Sequence, residues 1–363
     1  MPVRRRRAVP RPSPPYAVAR ARFRRAPRYG IASRDMSRTI PVVSVLVVSD
    51  YGGGSTDEWD YLRDTLRALS RQTFDERAEM LLLDATPSGQ QMPPDVLDIV
   101  PSIRVIGGAG TTRELLNAAV SAASADLVAV LDGDCTMSPN WLGAAVEAMR
   151  MHPEVAAVSG RTTYPDKGFS YRVLAVLSRS FLDGGAPGAT PFISSNNAIF
   201  RRDALLAHPL EDFPRTLASR LQTEAIRLAG GLLWFEPRML VTHRFEGWPM
   251  ERRLRRRVGY RTIRVRQLDP RVKHAWMLRL GMISIPLITA SRIVNSWWDC
   301  IRAGRYYGLR WFELPAAFVA AVAVHLLEIG GMVAALAEAR RGGASPKGHD
   351  RRVPLPPGAA IER

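Results

Sequence analysis

Cysteine is almost missing from this chain: Cys135 and Cys300 are the only two, and they stand far apart. That excludes a disulfide framework and a thiolate zinc site, and it fits a reducing compartment. Acids are missing from the first 35 residues except for Asp35, against eleven arginines, so this segment alone carries +10 of the net +17. Its Pro/Arg-rich text cannot bury enough apolar surface to offset ordering entropy, which predicts a disordered tail over 1–38. The composition matches a transit peptide or an extension ahead of a start at Met36, and it would attract anionic surfaces. No nucleic-acid-binding module accompanies the basic run, so no nucleic-acid partner is expected. The glycines of "GGAG" (107–110) lack both the G-x-x-x-x-G-K-[ST] pattern and the third glycine of G-x-G-x-x-G, where Arg113 stands. A plain strand-to-helix turn is the reading that remains.

What is present is ample apolar material, 46% of residues, enough for a sizeable core. "VVSVLVV" (42–48) is a continuous β-branched run suited to a strand buried on both faces. Leu62, Leu66 and Leu69 then recur at helical spacing behind a Ser-Thr pair suited to capping. "EMLLLD", "IRVI" and "LVAVLD" are further short apolar runs, and Thr111 and Glu114 have the spacing of a capping box. In "SPNWLGAAVEAMRMHP", Ser138 is the expected cap, Pro139 the first helical residue, and Pro153 the stop. Alternating strands and helices predict an α/β fold with a mainly parallel sheet covered by helices on both faces. Ligands of such sheets bind at the carboxyl ends of strands, where Asp84 and Asp132 fall.

Residues 132–134 carry the densest chemistry. Two carboxylates one residue apart repel each other unless a cation or a hydrogen-bond network holds them. Oxygen ligands around a tight Asp132-Gly133-Asp134 turn suit Mg²⁺ or Mn²⁺ better than zinc. A surface turn rich in Asp and Gly is the plain alternative, but here the motif follows a buried strand and precedes a helix.

With these pieces in order, residues from about Pro41 to about Phe245 resemble family 2 of the glycosyltransferases. "VSVLVVSDY" is similar to the family's first strand, and "LRALSRQTFDERAEMLLLDATPSG" to its helix, Gln-Thr turn and acid-ending second strand. "GGAGTTRELLNAAVSAASADLVAVLDGDCTMSPNWL" is the best match, followed by "SSNNAIFRRDAL" and "GGLLWFEPRMLVTH". The resemblance implies a GT-A fold with a Rossmann-like sheet, occupying 39–268, and a transferase using a nucleotide-sugar donor, a UDP-sugar by expectation. It further implies that Asp84 bonds the base, that Ser49 and Asp50 lie beside the nucleoside, and that Arg113 lies near the sugar or its phosphates. Asp132 would meet ribose or metal, Asp134 would ligate a divalent metal, Mg²⁺ or Mn²⁺, and His243 could reach the metal or diphosphate. The acceptor would be lipid-linked or a glycan, and displacement would invert the anomeric carbon.

One departure stands out. The family's Glu-Asp base pair would fall on Ser219 and Arg220, neither of which can take a proton in that role. The nearest acids are Glu224, one turn after Arg220, and Glu211-Asp212, which leaves Glu224 and Asp212 as candidate general bases. Two other readings stay open: a nucleotide-sugar-binding scaffold that has lost its base, and a sugar-phosphate nucleotidyltransferase. The second calls for a basic residue in the glycine loop after the first strand, and "SDYGGGSTDEW" has none.

Past residue 268 the text becomes apolar in two long stretches, 280–298 and 314–337. As a helix the second would reach roughly 36 Å, enough for a hydrocarbon layer of about 30 Å. Arg279, Pro286 and Arg292 in or beside the first stretch, and His325 and Glu328 in the second, favour contacts with protein or water over lipid. A membrane-associated region over 269–340 is therefore expected, spanning or interfacial, with basic flanks that place the catalytic part on the cytoplasmic side. A buried helix pair in a soluble domain is the alternative. A basic tail closes the sequence over 341–363.

Overall fold

Val43–Ser49 (β1) is buried at all seven positions, as its β-branched run predicts for a strand covered on both faces. The computed structural model describes residues 40–49, 56–84, 92–107, 111–183, 185–211, 215–245, 247–268, 270 and 272–340, with backbone only for 56–58 and 215–216. After β1 come Thr56–Ser70 (α1), Ala78–Asp84 (β2), the short Pro94–Asp98 (α2), Arg104–Gly107 (β3), Thr112–Ala122 (α3) and Leu127–Asp132 (β4). Cys135–Met137 (β5), Trp141–Met151 (α4), Val155–Thr163 (β6), Phe169–Arg179 (α5), Gly188–Ala189 (β7) and Asn197–Arg201 (β8) follow. Arg202–Ala207 (α6), Arg215–Leu228 (α7), Leu232–His243 (β9), Trp248–Leu268 (α8), Ser284–Ala303 (α9) and Leu314–Arg340 (α10) complete the order.

The strands form one sheet in the order β3-β2-β1-β4-β8-β6-β9-β5, with β7 paired to β9. β1 to β4 run parallel, β8 is inserted antiparallel between β4 and β6, and β6 and β9 resume the first direction. Side chains alternate along β1. Val43, Val45 and Val47 meet Leu62, Leu66 and Leu69 of α1 on one face, while Leu46 and Val48 meet Leu115 and Leu116 of α3 on the other. Burying each of these leucines contributes roughly 2 kcal/mol. Helices thus cover both faces of an α/β sheet whose strands mostly point one way.

The capping box at Thr111 forms as expected: the Glu114 amide donates to Thr111 Oγ1 at 3.3 Å, and the Thr111 amide donates to Glu114 Oε2 at 2.7 Å. Of the Ser-Thr pair expected to cap α1, Ser55 lies outside the described residues and Thr56 is the helix's first residue. The start of α4 differs from expectation. Ser138 is not its cap and Pro139 is not its first residue, because 138–141 close a turn through the Trp141 amide and the Ser138 carbonyl. Gln72 accepts the Leu142 amide at 2.9 Å and donates to the Ser138 carbonyl at 2.8 Å, so a side chain from the loop after α1 replaces the local cap.

Between β6 and β9 the ladder slips at Gly160/Arg161, so Gly160 faces Glu236 while Arg161 faces Leu240. The fully buried Asn197 amide fills that irregularity, donating to the Met239 carbonyl at 2.9 Å and the Arg161 carbonyl at 3.0 Å, and accepting from Trp141 Nε1 at 2.8 Å. One side chain therefore ties α4, β6 and β9 together.

Beyond β9 the chain is helical. Two stretches, Ala275–Tyr307 and Trp311–Arg340, are long and apolar enough to cross a membrane. α8, within the expected 39–268 region, packs along α10 of the expected 269–340 region. Gly259 leaves no room for a side chain against the Glu328 carbonyl, nor Gly331 against that of Arg256.

Candidate functional site

The parallel register lines up the ends of neighbouring strands. Ser49 pairs with Asp84, Asp84 with Gly107, and Val48 with Asp132, so Asp84, Ser49 and Asp132 stand side by side at the carboxyl edge. α3 begins just beyond β3 on that same edge, and its first turn holds Arg113, which is buried to 8% exposure. Ser49 Oγ is fully buried and finds no hydrogen-bond partner among the described residues. Asp50 lies outside the described residues.

After Asp132 the chain turns at Gly133, whose amide donates to the Val48 carbonyl at 2.8 Å. A Cβ here would stand 3.0 Å from that oxygen and 3.4 Å from Leu62, so close approach to β1 is what calls for glycine. Thr65 of α1 holds the turn from the other side, its Oγ1 donating to the Gly133 carbonyl at 2.9 Å. β5 then pairs antiparallel with the end of β9, setting Cys135 opposite His243. The Arg244 amide donates to the Asp134 carbonyl at 3.1 Å and locks the joint.

These backbone contacts bring Asp134 Oδ2 to 3.4 Å from His243 Nδ1, with both side chains largely shielded. His243 Nδ1 also lies 2.7 Å from the Arg244 carbonyl, which accepts and so assigns the proton to Nδ1 and the lone pair to Nε2. Asp134, Cys135 and His243 offer ligand atoms within 4.8 Å of one another. Burial, reinforced by the charges of Asp134 and Asp132, pushes the Cys135 thiol well up, and its S–H donates to Asp134 Oδ1 at 3.7 Å. The carboxylate oxygen of Asp134 and the imidazole nitrogen of His243 suit a hard or borderline divalent cation.

The sequence profile of glycosyl transferase family 2 matches residues 55–207, which include Asp84, Arg113, Asp132 and Asp134. Residues 55–207 are a family 2 glycosyltransferase domain. No curated protein matches the sequence. Among solved structures it is similar to the mannosyltransferase PcManGT from Pyrobaculum calidifontis in complex with GDP-Man and Mn²⁺, at 18% identity over 85% of this chain and 89% of that one, TM-score 0.49. It is also similar to GalNAc-T7 with UDP, GalNAc and Mn²⁺, at 15% identity over 59% and 46%, TM-score 0.44.

Around the Asp134–His243 pair stand residues that sequence patterns do not single out. Tyr164 presents an edge to His243 with ring centroids 6.1 Å apart, Arg179 lies 5.3 Å over Tyr164, and Arg244 lies over Tyr61 of α1. Only Arg244 had a local signal, as the neighbour of His243 in "VTHRF".

The two candidate bases fare differently. Asp212 lies outside the described residues. Glu224 sits near the end of α7, where Gly231 abuts Ile226 and Ala156 at the amino edge of the sheet. His243 ends the 12-residue β9, so the two are separated by roughly 30 Å of strand. Glu224 is also occupied by Arg227, whose Nη2 donates to Oε1 at 2.5 Å. The fold does not bring Glu224 to Asp134 and His243, because a helix joined to its strand by a short turn must end at that strand's amino edge.

Proposed function

We propose that the chain is a membrane-associated, metal-dependent, inverting transferase that moves a sugar from a nucleotide-sugar, expected to be a UDP-sugar, to a lipid-linked or glycan acceptor. The observation that carries this reading is the pairing of Asp134 with His243 at 3.4 Å on the strand edge shared by Asp84 and Asp132. Asp134, His243 and Asp132 would hold a Mg²⁺ or Mn²⁺ ion, and their oxygen and nitrogen donors fit it. When bound, such an ion neutralises charge developing on the diphosphate leaving group.

The protein's own groups do the remaining work. Asp84 and Ser49, with Asp50, bind the nucleoside, and the Ser49 hydroxyl, unpartnered among the described residues, would gain a hydrogen bond there. Arg113 orients the sugar or its phosphates as a planar donor. A carboxylate must take the proton from the acceptor hydroxyl as it attacks the anomeric carbon. Asp212 is our candidate, since Glu224 faces the wrong end of the sheet. The apolar C-terminal helices, with basic flanks, hold the domain at the cytoplasmic membrane face.

Calorimetry against UDP-, GDP- and dTDP-sugars, with Mn²⁺ or with chelator, tests the reading on the wild type and Asp134→Ala. Metal-dependent binding of one donor, lost in the variant, supports it. No binding of any donor with metal present sinks it. For the base, Asp212→Asn should lower kcat by at least about 100-fold with donor affinity unchanged, while Glu224→Gln leaves kcat intact. The reverse pattern would restore Glu224.

A further inference from the structure

α10 is 27 residues long, about 40 Å, and between Pro315 and Val333 every exposed residue is uncharged. α9 and the residue before it expose a stripe at helical spacing, Ile283, Leu287, Val294, Trp298 and Ile301, and Trp297 joins the two helices through a tilted contact with the Phe318 ring and a 3.0 Å bond from Nε1 to the Phe318 carbonyl. Trp298 is 62% exposed, and Trp311 in the connector is 82% exposed. By length and composition alone this pair is apolar enough for a transmembrane hairpin.

Its partner argues otherwise. The other side of α10 is covered by α8, which holds eight arginines and one acid in 21 residues. The two helices touch backbone to backbone at Gly259 and Gly331. Arg255 of α8 reaches Glu328, whose carboxylate also accepts from Arg292 at 2.8 Å, and Tyr260 donates to Glu338 at 2.6 Å. Glu328 stands about 21 Å from the start of α10, close to its midpoint. If α10 crossed a bilayer, this contact would lie at the bilayer centre. Arg256 and Arg257, exposed at that level, would then enter hydrocarbon with Arg252 and Arg253 one turn away. Each such charge costs at least about 2.5 kcal/mol there, and the side chains are too short to reach water from the midplane.

We propose that the C-terminal helices lie in one leaflet of an anionic membrane without crossing it. The outer face of α9 and α10 rests on acyl chains, and the exposed arginines of α8 sit in the headgroup layer. Packed helices are separated by about 8–10 Å, which matches an amphipathic element buried 5–10 Å into the interface. The inference deepens the proposed membrane association and is independent of the transferase chemistry.

Two measurements on the full-length chain test it. Flotation should show binding to vesicles containing phosphatidylglycerol, weakened by salt and weak on phosphatidylcholine alone. Replacing Arg252, Arg253, Arg256 and Arg257 with Gln should lower it by roughly five-fold per charge. Single cysteines replacing Arg253 and Arg305, one on α8 and one in the α9–α10 connector, are then probed with an impermeant maleimide on cells. The parent serves as control, since Cys135 and Cys300 are buried. Both sites should label only after permeabilisation, and Trp311→Cys should repeat the Arg305 result. Labelling of the connector in intact cells, with α8 protected, means a span and overturns the proposal while leaving membrane association standing. Failure to float, or a stable dimer that does not float, overturns both.

Discussion

Asn197 offers the sharpest test of how the site is held. Its side chain is fully buried and makes three good hydrogen bonds, to Trp141 Nε1, the Met239 carbonyl and the Arg161 carbonyl, at 2.8 to 3.0 Å. Both carbonyls stand where the β6–β9 ladder slips. Asn197→Ala would leave three buried polar groups to find new partners, each worth about 1–3 kcal/mol if unsatisfied. Partial relaxation and water entry recover some of that, so a loss of about 3–5 kcal/mol is expected. That is a large share of the 5–15 kcal/mol typical of a folded protein. β9 ends in His243, so metal-dependent donor binding should weaken as well in whatever fraction stays folded. Urea unfolding with a common m-value reads the first effect, and calorimetry at low temperature the second. A midpoint shift equivalent to less than about 1 kcal/mol would refute the claim that this amide carries the irregularity.

Other consequences are equally direct. Cys135→Ala should leave metal affinity within about two-fold, because the thiol donates to Asp134 Oδ1 at 3.7 Å and the ion is assigned to oxygen and imidazole donors, whereas a 100-fold loss in metal titration would mean that a thiolate binds. Glu79 accepts from Ser44 Oγ at 2.6 Å and from the Ser124 amide at 2.8 Å, and these bonds outweigh burial to hold its pKa below the usual carboxylate range. A lowered folded pKa contributes stability above the unfolded value of about 4.3 that is lost as pH falls through the folded one, so Glu79→Gln should flatten the acid limb of a stability–pH curve. An unchanged limb would place the acid sensitivity elsewhere. Gly259→Ala should force α8 off α10 and weaken vesicle binding and thermal stability together, read by flotation and calorimetry.

How much of this was legible in the sequence depends on range. β1, β2 and β4, the α3 capping box and the leucine stripe of α1 follow from local periodicity and short side-chain bonds, and they form where the pattern places them. The start of α4 is not legible locally because its cap is Gln72, a loop residue 70 positions before Leu142. The insertion of β8 and the pairing of β5 with β9 are contacts between distant segments, invisible to local pattern. The placement of Glu224 follows from "AGG" directly before a strand, which fixes the helix end at the amino edge, whatever face Glu224 shares with Arg220.

The long-range joints are also what make a site from the acids. Asp132 sits at a strand end by local rules alone, but Asp134 gains its imidazole only because β5 doubles back onto β9. That return depends on Gly133 lying close to Val48, on Thr65 gripping the turn, and on Asn197 filling the slip that β9 takes on its way to His243. Change in any of these, though none faces a substrate, should therefore act on metal and donor affinity through the Asp134–His243 distance. A variant such as Thr65→Val, which leaves the Gly133 carbonyl without its donor, should cost about 1–2 kcal/mol in stability and raise the metal Kd, with every candidate ligand still in place. Unchanged metal affinity in that variant would mean that the turn holds its shape without α1, and that β9 alone sets the pair.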